Sequence, residues 1–333
     1  MKKRFNPIID RFENVKILVL GDFLLDDFVF GEISRVSREA PVLILKYQET
    51  RTLPGGGANT VANVASLGAT PIPLGYIGDD QEADLLLATW PDRVQKSYVF
   101  REPQFRTTRK ARILAGSFHS FRQQVVRVDY EYPCRLGQRH EGKILQAFSE
   151  LIPVVQAVIV SDYSLGNMAP SLWKCVLKLA RRHQKVVVVD SRDNAAAFRG
   201  ATSLTPNISE IEAALGKKIG SGPLLEEVGM RLRQEWELEA LLVTRGKMGM
   251  SLFEESKVTH IPVFGSDEVA DVTGAGDTVI ATYTTALAAG AEFEEAALLA
   301  NRAGGIVVMK RGTATVNGAE LRGSLEKFDG IAG

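Results

Sequence analysis

Residues Asp271-Val272-Thr273-Gly274-Ala275-Gly276-Asp277-Thr278 are the most informative stretch of this 333-residue chain, and a run of small helix-forming residues follows them to Gly290. The two glycines, Gly274 and Gly276, allow a sharp turn whose N–H groups converge, and the helix start adds the positive end of its dipole. The stretch therefore predicts an anion site at Gly274, Ala275 and Gly276. Asp277 is placed to take a proton from a hydroxyl that attacks a phosphate held there. A glycine-rich turn with Asp277 as a helix cap is the alternative interpretation.

Short apolar runs that end at a polar residue recur along the chain, and helical stretches separate them. The runs are 15–21, 157–161, 186–189 and 240–244, and the helical stretches are 58–67, 171–183, 208–215 and 224–237. Strands that alternate with helices predict an α/β fold with a mainly parallel sheet and helices on both faces. Asp22, Asp162 and Asp190 follow three of these strands, where such sheets bind ligands, although a cap or turn former is the commoner role for each.

Two segments depart from this alternation. Residues 28–47 and 96–129 are rich in β-forming residues, arginine and threonine, with partial alternation of apolar and polar positions. They predict antiparallel strands outside the main sheet, forming either a small lid or an oligomer surface. An edge hairpin without function fits the pattern equally well. We expect residues 1–333 to form one domain that carries these two lid segments.

Composition excludes several classes of protein. The 40 basic and 40 acidic side chains give a formal net charge of zero, so no global field attracts nucleic acid or an anionic membrane. No apolar run reaches the length of a membrane span, and the basic N-terminus leads into no signal-peptide core, so we expect a cytoplasmic protein. The two cysteines are too few for a disulfide framework, and the cysteines and histidines show no metal-ligand spacing. These residues are Cys134, Cys175, His119, His140, His183 and His260.

The stretch from Asp271 to Asp277 resembles the C-terminal signature of the ribokinase-like (PfkB) carbohydrate kinases. Further segments resemble other motifs of that family: Gly21–Asp26, Pro54–Asn59, Thr205–Glu210 and Thr244–Gly246. Four more resemble the D-glycero-β-D-manno-heptose 7-phosphate kinases in particular: Ser34–Val42, Thr107–Arg112, Ser161–Tyr163 and Gly312–Val316.

This resemblance implies a ribokinase-like fold, a homodimer formed through the lid, and ATP-dependent phosphorylation of the anomeric (C1) hydroxyl of the heptose phosphate. The product would be the 1,7-bisphosphate, in the synthesis of ADP-heptose for lipopolysaccharide precursors. Such kinases occur alone or as the N-terminal half of a bifunctional protein with an adenylyltransferase. Because the sequence ends after the kinase-like part, we expect the stand-alone form.

Substrate-binding residues follow from the resemblance and agree with the chemistry of the side chains. Asp26 can accept hydrogen bonds from two neighbouring sugar hydroxyls, while Gly56, Gly57 and Asn59 offer close backbone approach and an amide. Without the other motifs, a tight strand-to-helix turn would be the preferred interpretation of these glycines. A sugar that already bears a phosphate needs a second anion site. Lys110 and Arg112 alternate on one face of a predicted strand and are the candidates, although a solvated strand edge is the usual explanation of such a pair.

Nucleotide and metal sites are implied less directly. Asn207 and Glu210 face the same way at a helix start, which suits a magnesium ion held through water, although a capping box is the commoner role of this pattern. The resemblance places Asp271, with Thr273, near a possible potassium ion. It also places near ATP the residues Thr244, Gly246, Gly274, Gly276, Asn301 and the turn 310–313.

Two departures from the heptose kinase pattern leave room for a different acceptor. Leu165 stands where those kinases have a lysine, and Ser191-Arg192 stands where they have Pro-Lys. The alternatives are therefore a kinase for another sugar, sugar phosphate or nucleoside, and a catalytically weak sugar-binding regulatory protein on the same fold. The intact turn and Asp277 argue against the latter.

Two other nucleotide-binding classes fail on their own motifs. A dinucleotide dehydrogenase needs Gly-x-Gly-x-x-Gly after the first strand, where this chain has Gly21-Asp22-Phe23-Leu24. A P-loop protein needs Gly-Lys followed by Ser or Thr, and here Lys218 and Met248 occupy that place.

Overall fold

A computed structural model describes residues 2–116, 123–220, 222–265, 271–310 and 312–326. The helices in these ranges are α1 Lys2–Asp10, α2 Gly57–Ser66, α3 Gln81–Thr89, α4 Gln138–Leu151, α5 Pro170–Arg182, α6 Ile208–Leu215, α7 Pro223–Glu235, α8 Ala275–Ala288, α9 Phe293–Val308 and α10 Gly318–Glu326. The strands are β1 Lys16–Gly21, β2 Phe23–Val36, β3 Leu43–Gly56, β4 Thr70–Gly78, β5 Val99–Glu102, β6 Arg109–Gly116, β7 Gln123–Tyr130, β8 Ala157–Asp162, β9 Val186–Ser191, β10 Ser203–Leu204, β11 Ala240–Thr244, β12 Met250–Phe253 and β13 Val258–Ile261.

The main sheet contains nine strands in the order β13-β12-β11-β10-β9-β8-β1-β4-β5. All neighbours are parallel except β11 with β12 and β12 with β13, which are antiparallel. The predicted mainly parallel sheet is thereby confirmed. The four apolar runs and the four helical stretches predicted for this part of the fold begin and end within two residues of the observed strands and helices.

Two apolar cores lie on the two faces of this sheet, because successive side chains of a strand point to opposite sides. In β1, Ile17 and Val19 join the core formed with α1, α2, α8 and α9. Leu18 and Leu20 join the other core, formed with α4, α5 and α7. A strand buried on both faces reads as a continuous apolar run, which is why these strands were predictable.

The lid is a separate four-stranded sheet in the order β3-β2-β6-β7. It differs from the prediction in two ways. The central pair β2 and β6 is parallel, whereas only β2 with β3 and β6 with β7 are antiparallel. The lid also begins at Phe23 and extends to Gly56, since one residue, Asp22, separates β1 from β2.

The second predicted lid segment is divided between two sheets. Within residues 96–129, Val99–Glu102 forms β5, which pairs in parallel with β4 at the edge of the main sheet. The lid itself resumes at Arg109, and residues 117–122 of the segment, which include His119, lie outside the described residues. No helix in the described ranges combines the length and the apolarity needed to cross a membrane.

Candidate active site

A cavity of about 290 Å³ lies between the lid and the carboxyl ends of the main-sheet strands, at the start of α8. It contains five acidic and three basic side chains. Its lining residues are Leu24, Asp26, Gly56, Lys110, Arg112, Asp162, Tyr163, Asp190, Arg192, Thr205, Asn207, Glu210, Thr244, Val272, Thr273, Gly274, Gly276 and Asp277. Ten of the residues predicted to act in catalysis, substrate binding or nucleotide binding thus line one cavity.

The start of α8 has the geometry of an anion site. Gly274 caps the helix in the left-handed region at φ 77°, and a Cβ there would lie 2.5 Å from Nδ2 of Asn59, so glycine is required. The first N–H groups of a helix have no partner within it, and Gly274 and Gly276 line the cavity. Ala275 does not line it, and its N–H donates to the carbonyl of Val272 at 3.2 Å.

Asp277 is buried in the first turn of α8 and is held by two strong donors. Nδ2 of Asn59 donates to Oδ2 at 2.8 Å, and the hydroxyl of Tyr163 donates to Oδ1 at 2.9 Å. The hydroxyl of Thr60 lies 3.4 Å from Oδ1. Burial raises the pKa of Asp277 to about 6, against the opposing effect of these donors. A carboxylate with this pKa can accept a proton and is largely ionised at neutral pH.

The glycine-rich turn after β3, which was predicted to bind the sugar, makes several contacts within the protein. Gly56, at φ 55°, lines the cavity, but the N–H of Gly57 donates to the carbonyl of Asp22 at 2.9 Å. Asn59 was predicted to contact substrate, and its Nδ2 instead contacts Asp277, while its side-chain oxygen accepts from Asn63 at 3.2 Å. In this arrangement Asn59 orients the carboxylate of Asp277.

The lid contributes an acid and two bases to the cavity. Asp26 of β2 is buried, and Nη2 of Arg112 donates to its Oδ1 at 3.2 Å. Burial raises the pKa of Asp26, and Arg112 and Lys110 oppose that rise. Nζ of Lys110 donates to Glu131 at 2.7 Å. Nε of Arg112 is buried without a hydrogen-bond partner among the described residues.

The opposite wall is acidic. Asn207 and Glu210 form the capping box of α6, with the N–H of Asn207 donating to Glu210 at 2.8 Å and the N–H of Glu210 donating to Asn207 at 2.9 Å. Both also line the cavity, so the capping and ligand-facing interpretations are compatible. Burial raises the pKa of Glu210, Asp162 and Asp190, and the neighbouring Glu210 and Asp277 raise that of Asp190 further.

Several predicted residues lie outside the cavity. Gly246 begins a short 3-10 turn after β11, and Asn301 of α9 donates through Nδ2 to the carbonyl of Pro262 at 2.8 Å. Both oxygens of Asp271 accept backbone N–H groups, from Thr273 at 2.9 Å and from Gly312 at 3.1 Å. Arg311, in the turn expected near ATP, lies outside the described residues.

The strand-end acids divide into two kinds. Asp162 and Asp190 line the cavity, whereas Asp22 does not and instead stabilises a turn through its hydrogen bonds. The oxygens of Asp22 accept from the backbone N–H groups of Tyr163, Leu165 and Asn167 at 2.9, 3.0 and 3.1 Å. They also accept from Nδ2 of Asn167 at 3.1 Å. Asp22 therefore shapes the loop that carries Tyr163.

Sequence reasoning gave no role to two residues near Asp277, which are Tyr163 and Arg192. Tyr163 contacts Asp277, and the guanidinium of Arg192 lies 4.6 Å from the centre of the Tyr163 ring. Both follow main-sheet strands, and both lie in segments that were compared with the heptose kinases, so these two signals could have indicated them. Leu165, where the related kinases have lysine, is buried beside Asp22 and does not line the cavity.

A helix N-terminus, a buried carboxylate and cationic side chains lie together around one cavity of an α/β fold, an arrangement that suits the transfer of a phosphoryl group. The family model of pfkB family carbohydrate kinases matches residues 16–319. The chain belongs to this family, and it is an ATP-dependent sugar kinase.

Two relatives agree with this assignment. The protein named "Bifunctional protein HldE" of Geobacter metallireducens is 38% identical over 346 residues, covering 100% of this chain and 69% of that protein. The protein of the same name from Chromohalobacter salexigens is 41% identical over 311 residues, covering 93% of this chain and 63% of that protein. This chain thus spans about two thirds of the length of these relatives.

Solved structures show the same fold. Ribokinase of Arabidopsis thaliana, complexed with ribose and ATP, matches with a TM-score of 0.73 at 18% identity, over 94% of this chain and 98% of that one. Phosphofructokinase-2 of Escherichia coli, in complex with potassium, matches with a TM-score of 0.76 at 15% identity, over 95% and 99%. The ribokinase-like fold predicted from the sequence is confirmed.

Proposed function

We propose that this kinase transfers the γ-phosphoryl group of ATP to the anomeric hydroxyl of D-glycero-β-D-manno-heptose 7-phosphate, giving the 1,7-bisphosphate. Asp277 takes the proton of the attacking hydroxyl, and the N–H groups at Gly274 and Gly276 stabilise charge on the transferring phosphoryl group. Similarity to proteins named HldE supports the choice of a heptose.

The position of Lys110 and Arg112 is the observation that carries this proposal. Both side chains line the same cavity as Asp26 and Asp277, and both are largely buried. Burying a cation costs free energy that a partner must offset, and Glu131 and Asp26 pair with these two cations. A ligand phosphate would add to this pairing. A phosphate on the far side of the sugar from the reacting hydroxyl would use these groups.

The acidic wall favours magnesium as the partner of ATP. Five acidic side chains outnumber three basic ones around the cavity, and burial raises the pKa of all five. An anionic nucleotide would be repelled here unless a cation accompanied it. Asn207 and Glu210 are the residues we propose to face that magnesium ion through water, because magnesium keeps several waters and takes few protein ligands. A potassium ion near Asp271 stays a prediction.

A homodimer through the lid is part of the proposal. Of the sixteen large apolar side chains that are exposed within the described ranges, nine belong to lid strands or to the turn between β2 and β3. These nine, which we call the lid surface, are Ile33, Val36, Val42, Leu43, Tyr47, Val125, Val126, Val128 and Tyr130. Such a concentration of apolar surface is typical of a protein interface.

A panel of acceptors tests the substrate. ADP release should be measured with the heptose 7-phosphate, the same heptose without phosphate, hexose phosphates, free hexoses and nucleosides. We expect the phosphorylated heptose to give the highest kcat/KM, and Arg112→Gln to raise its KM while leaving the KM of ATP within about three-fold. Equal kcat/KM with phosphorylated and free sugars would remove the role given to Lys110 and Arg112. A preference for a nucleoside or a free hexose would replace the heptose assignment.

A further inference from the structure

Tyr163 occupies a position that neither the sugar nor the nucleotide assignment explains. It follows β8 on the loop that wraps around Asp22, and its N–H donates to that carboxylate at 2.9 Å. Its ring lies against the turn at Gly56, where an added Cβ would lie 3.2 Å from Cδ2. The backbone and the ring of Tyr163 are therefore fixed independently of any ligand.

The hydroxyl of Tyr163 points at the catalytic carboxylate. It donates to Oδ1 of Asp277 at 2.9 Å, while Asn59 donates to Oδ2. The hydroxyl of Thr60 lies farther from Oδ1, at 3.4 Å. Rotation of the carboxylate about its χ2 angle would break hydrogen bonds to an ionised group on both oxygens, and such bonds are stronger than neutral ones. Oδ2, which accepts only from Asn59 among the described residues, keeps a second lone pair that can accept the proton of a substrate.

Arg192 also contacts the ring of Tyr163. Its guanidinium lies 4.6 Å from the ring centre, within the range of a cation–π contact, and it lines the same cavity. Contact with the ring face leaves the phenol hydroxyl free to donate to Asp277. The three side chains of Arg192, Tyr163 and Asp277 thus form a continuous series of contacts.

We propose that Tyr163 is a positioning residue for the base: its hydroxyl fixes the orientation of the Asp277 carboxylate, favours its ionised form, and is itself held in place by Arg192. This inference rests on the proposed function of Asp277 as the base. The donated hydrogen bond lowers the pKa of Asp277 and so opposes the rise caused by burial.

The expected effect of removing the hydroxyl has a definite sign. Tyr163→Phe keeps the ring and the backbone N–H but deletes one donor to the carboxylate, so the proton binds Asp277 more tightly. A hydrogen bond to a charged group corresponds to a shift of about one to two pH units. Other charged groups around Asp277 in the cavity are unchanged by this substitution: Asp26 of β2, Lys110 and Arg112 of β6, Asp162 of β8, Asp190 and Arg192 at the end of β9, and Glu210 of α6.

Two measurements test the proposal. The first is the pH dependence of kcat/KM, whose acidic limb should move up by about one to two pH units in Tyr163→Phe. Tyr76→Phe is the matched control, because it removes a hydroxyl whose contact is the carbonyl of His140 at 3.5 Å. An acidic limb at the wild-type position, or a rate lowered equally at every pH, would overturn the positioning role.

The second measurement needs no turnover. Carbon-13 NMR of protein labelled at the aspartate carboxyl carbons gives a titration for Asp277, identified by the signal that Asp277→Asn removes. We expect a midpoint near pH 6 in the wild type and a higher one in Tyr163→Phe. An unchanged midpoint would refute this inference even if the enzyme is active. An inactive wild type with a shifted midpoint would instead count against the proposed function alone.

Discussion

Asp277→Asn is expected to stabilise the fold at neutral pH, because burial disfavours the charge of Asp277. The pKa of this carboxyl is raised from 3.8 to about 6, so the folded state binds its proton more tightly than the unfolded chain does. Below both pKa values the carboxyl is neutral in the folded and the unfolded state, so its burial carries no penalty for a charge. As pH rises through this window the carboxylate ionises in its buried site, and above it the penalty reaches about 3 kcal/mol.

The assay compares the free energies of unfolding of the wild type and Asp277→Asn in urea at pH 5 and pH 8. About 1.4 kcal/mol of the penalty develops between these two values, so the variant should gain that much relative to the wild type. Any fixed effect of the new amide, such as poorer contact with Asn59, cancels in the comparison. Asp92→Asn, at an exposed surface position, is the control and should change by less than about 0.5 kcal/mol. The reasoning would be refuted if the gain in unfolding free energy of Asp277→Asn over the wild type were equal at both pH values, or smaller at pH 8 than at pH 5.

Asp22→Ala should lower the free energy of unfolding by about 3 kcal/mol or more, since three buried backbone N–H groups lose their acceptor. Urea denaturation measures this, and a loss below about 1 kcal/mol would show that water or a rearranged loop satisfies those groups. Val126→Asp, which places a charge on the lid surface, should convert the expected dimer into a monomer in light scattering. Leu85→Asp, at an exposed position of α3 outside the lid, should leave the dimer intact, and a wild type that is monomeric at micromolar concentration would contradict the interface.

The main sheet was predictable because its strands are buried on both faces and therefore read as apolar runs with polar ends. The lid was harder to predict from the sequence. A single residue, Asp22, separates β1 from β2, which gives no sequence signal of a change of sheet, and β5 is only four residues long. Alternation along a strand also carries no information on whether its neighbour is parallel, so the pairing of β2 with β6 required the structure.

Part of the candidate site was likewise predictable from the local sequence, and part was not. Glycine spacing and the helix start predicted the anion site around Gly274 and Gly276, since those properties are local. The contacts of Asp277 are not local: Asn59 is 218 residues away along the chain and Tyr163 is 114 residues away. Which face of α2 meets α8, and which loop follows β8, are set by the packing of the whole domain. The contact between Asn59 and the base therefore came from the structure.

The turnover of Asp277→Asn with the heptose 7-phosphate and ATP is the most direct test of the proposed mechanism. Asparagine keeps the size of the side chain but cannot accept a proton, so kcat should fall by about 100-fold to 10,000-fold. Calorimetry should show ATP affinity within about three-fold of the wild type, because the N–H groups at the start of α8 remain. A kcat close to that of the wild type would contradict the assignment of Asp277 as the base.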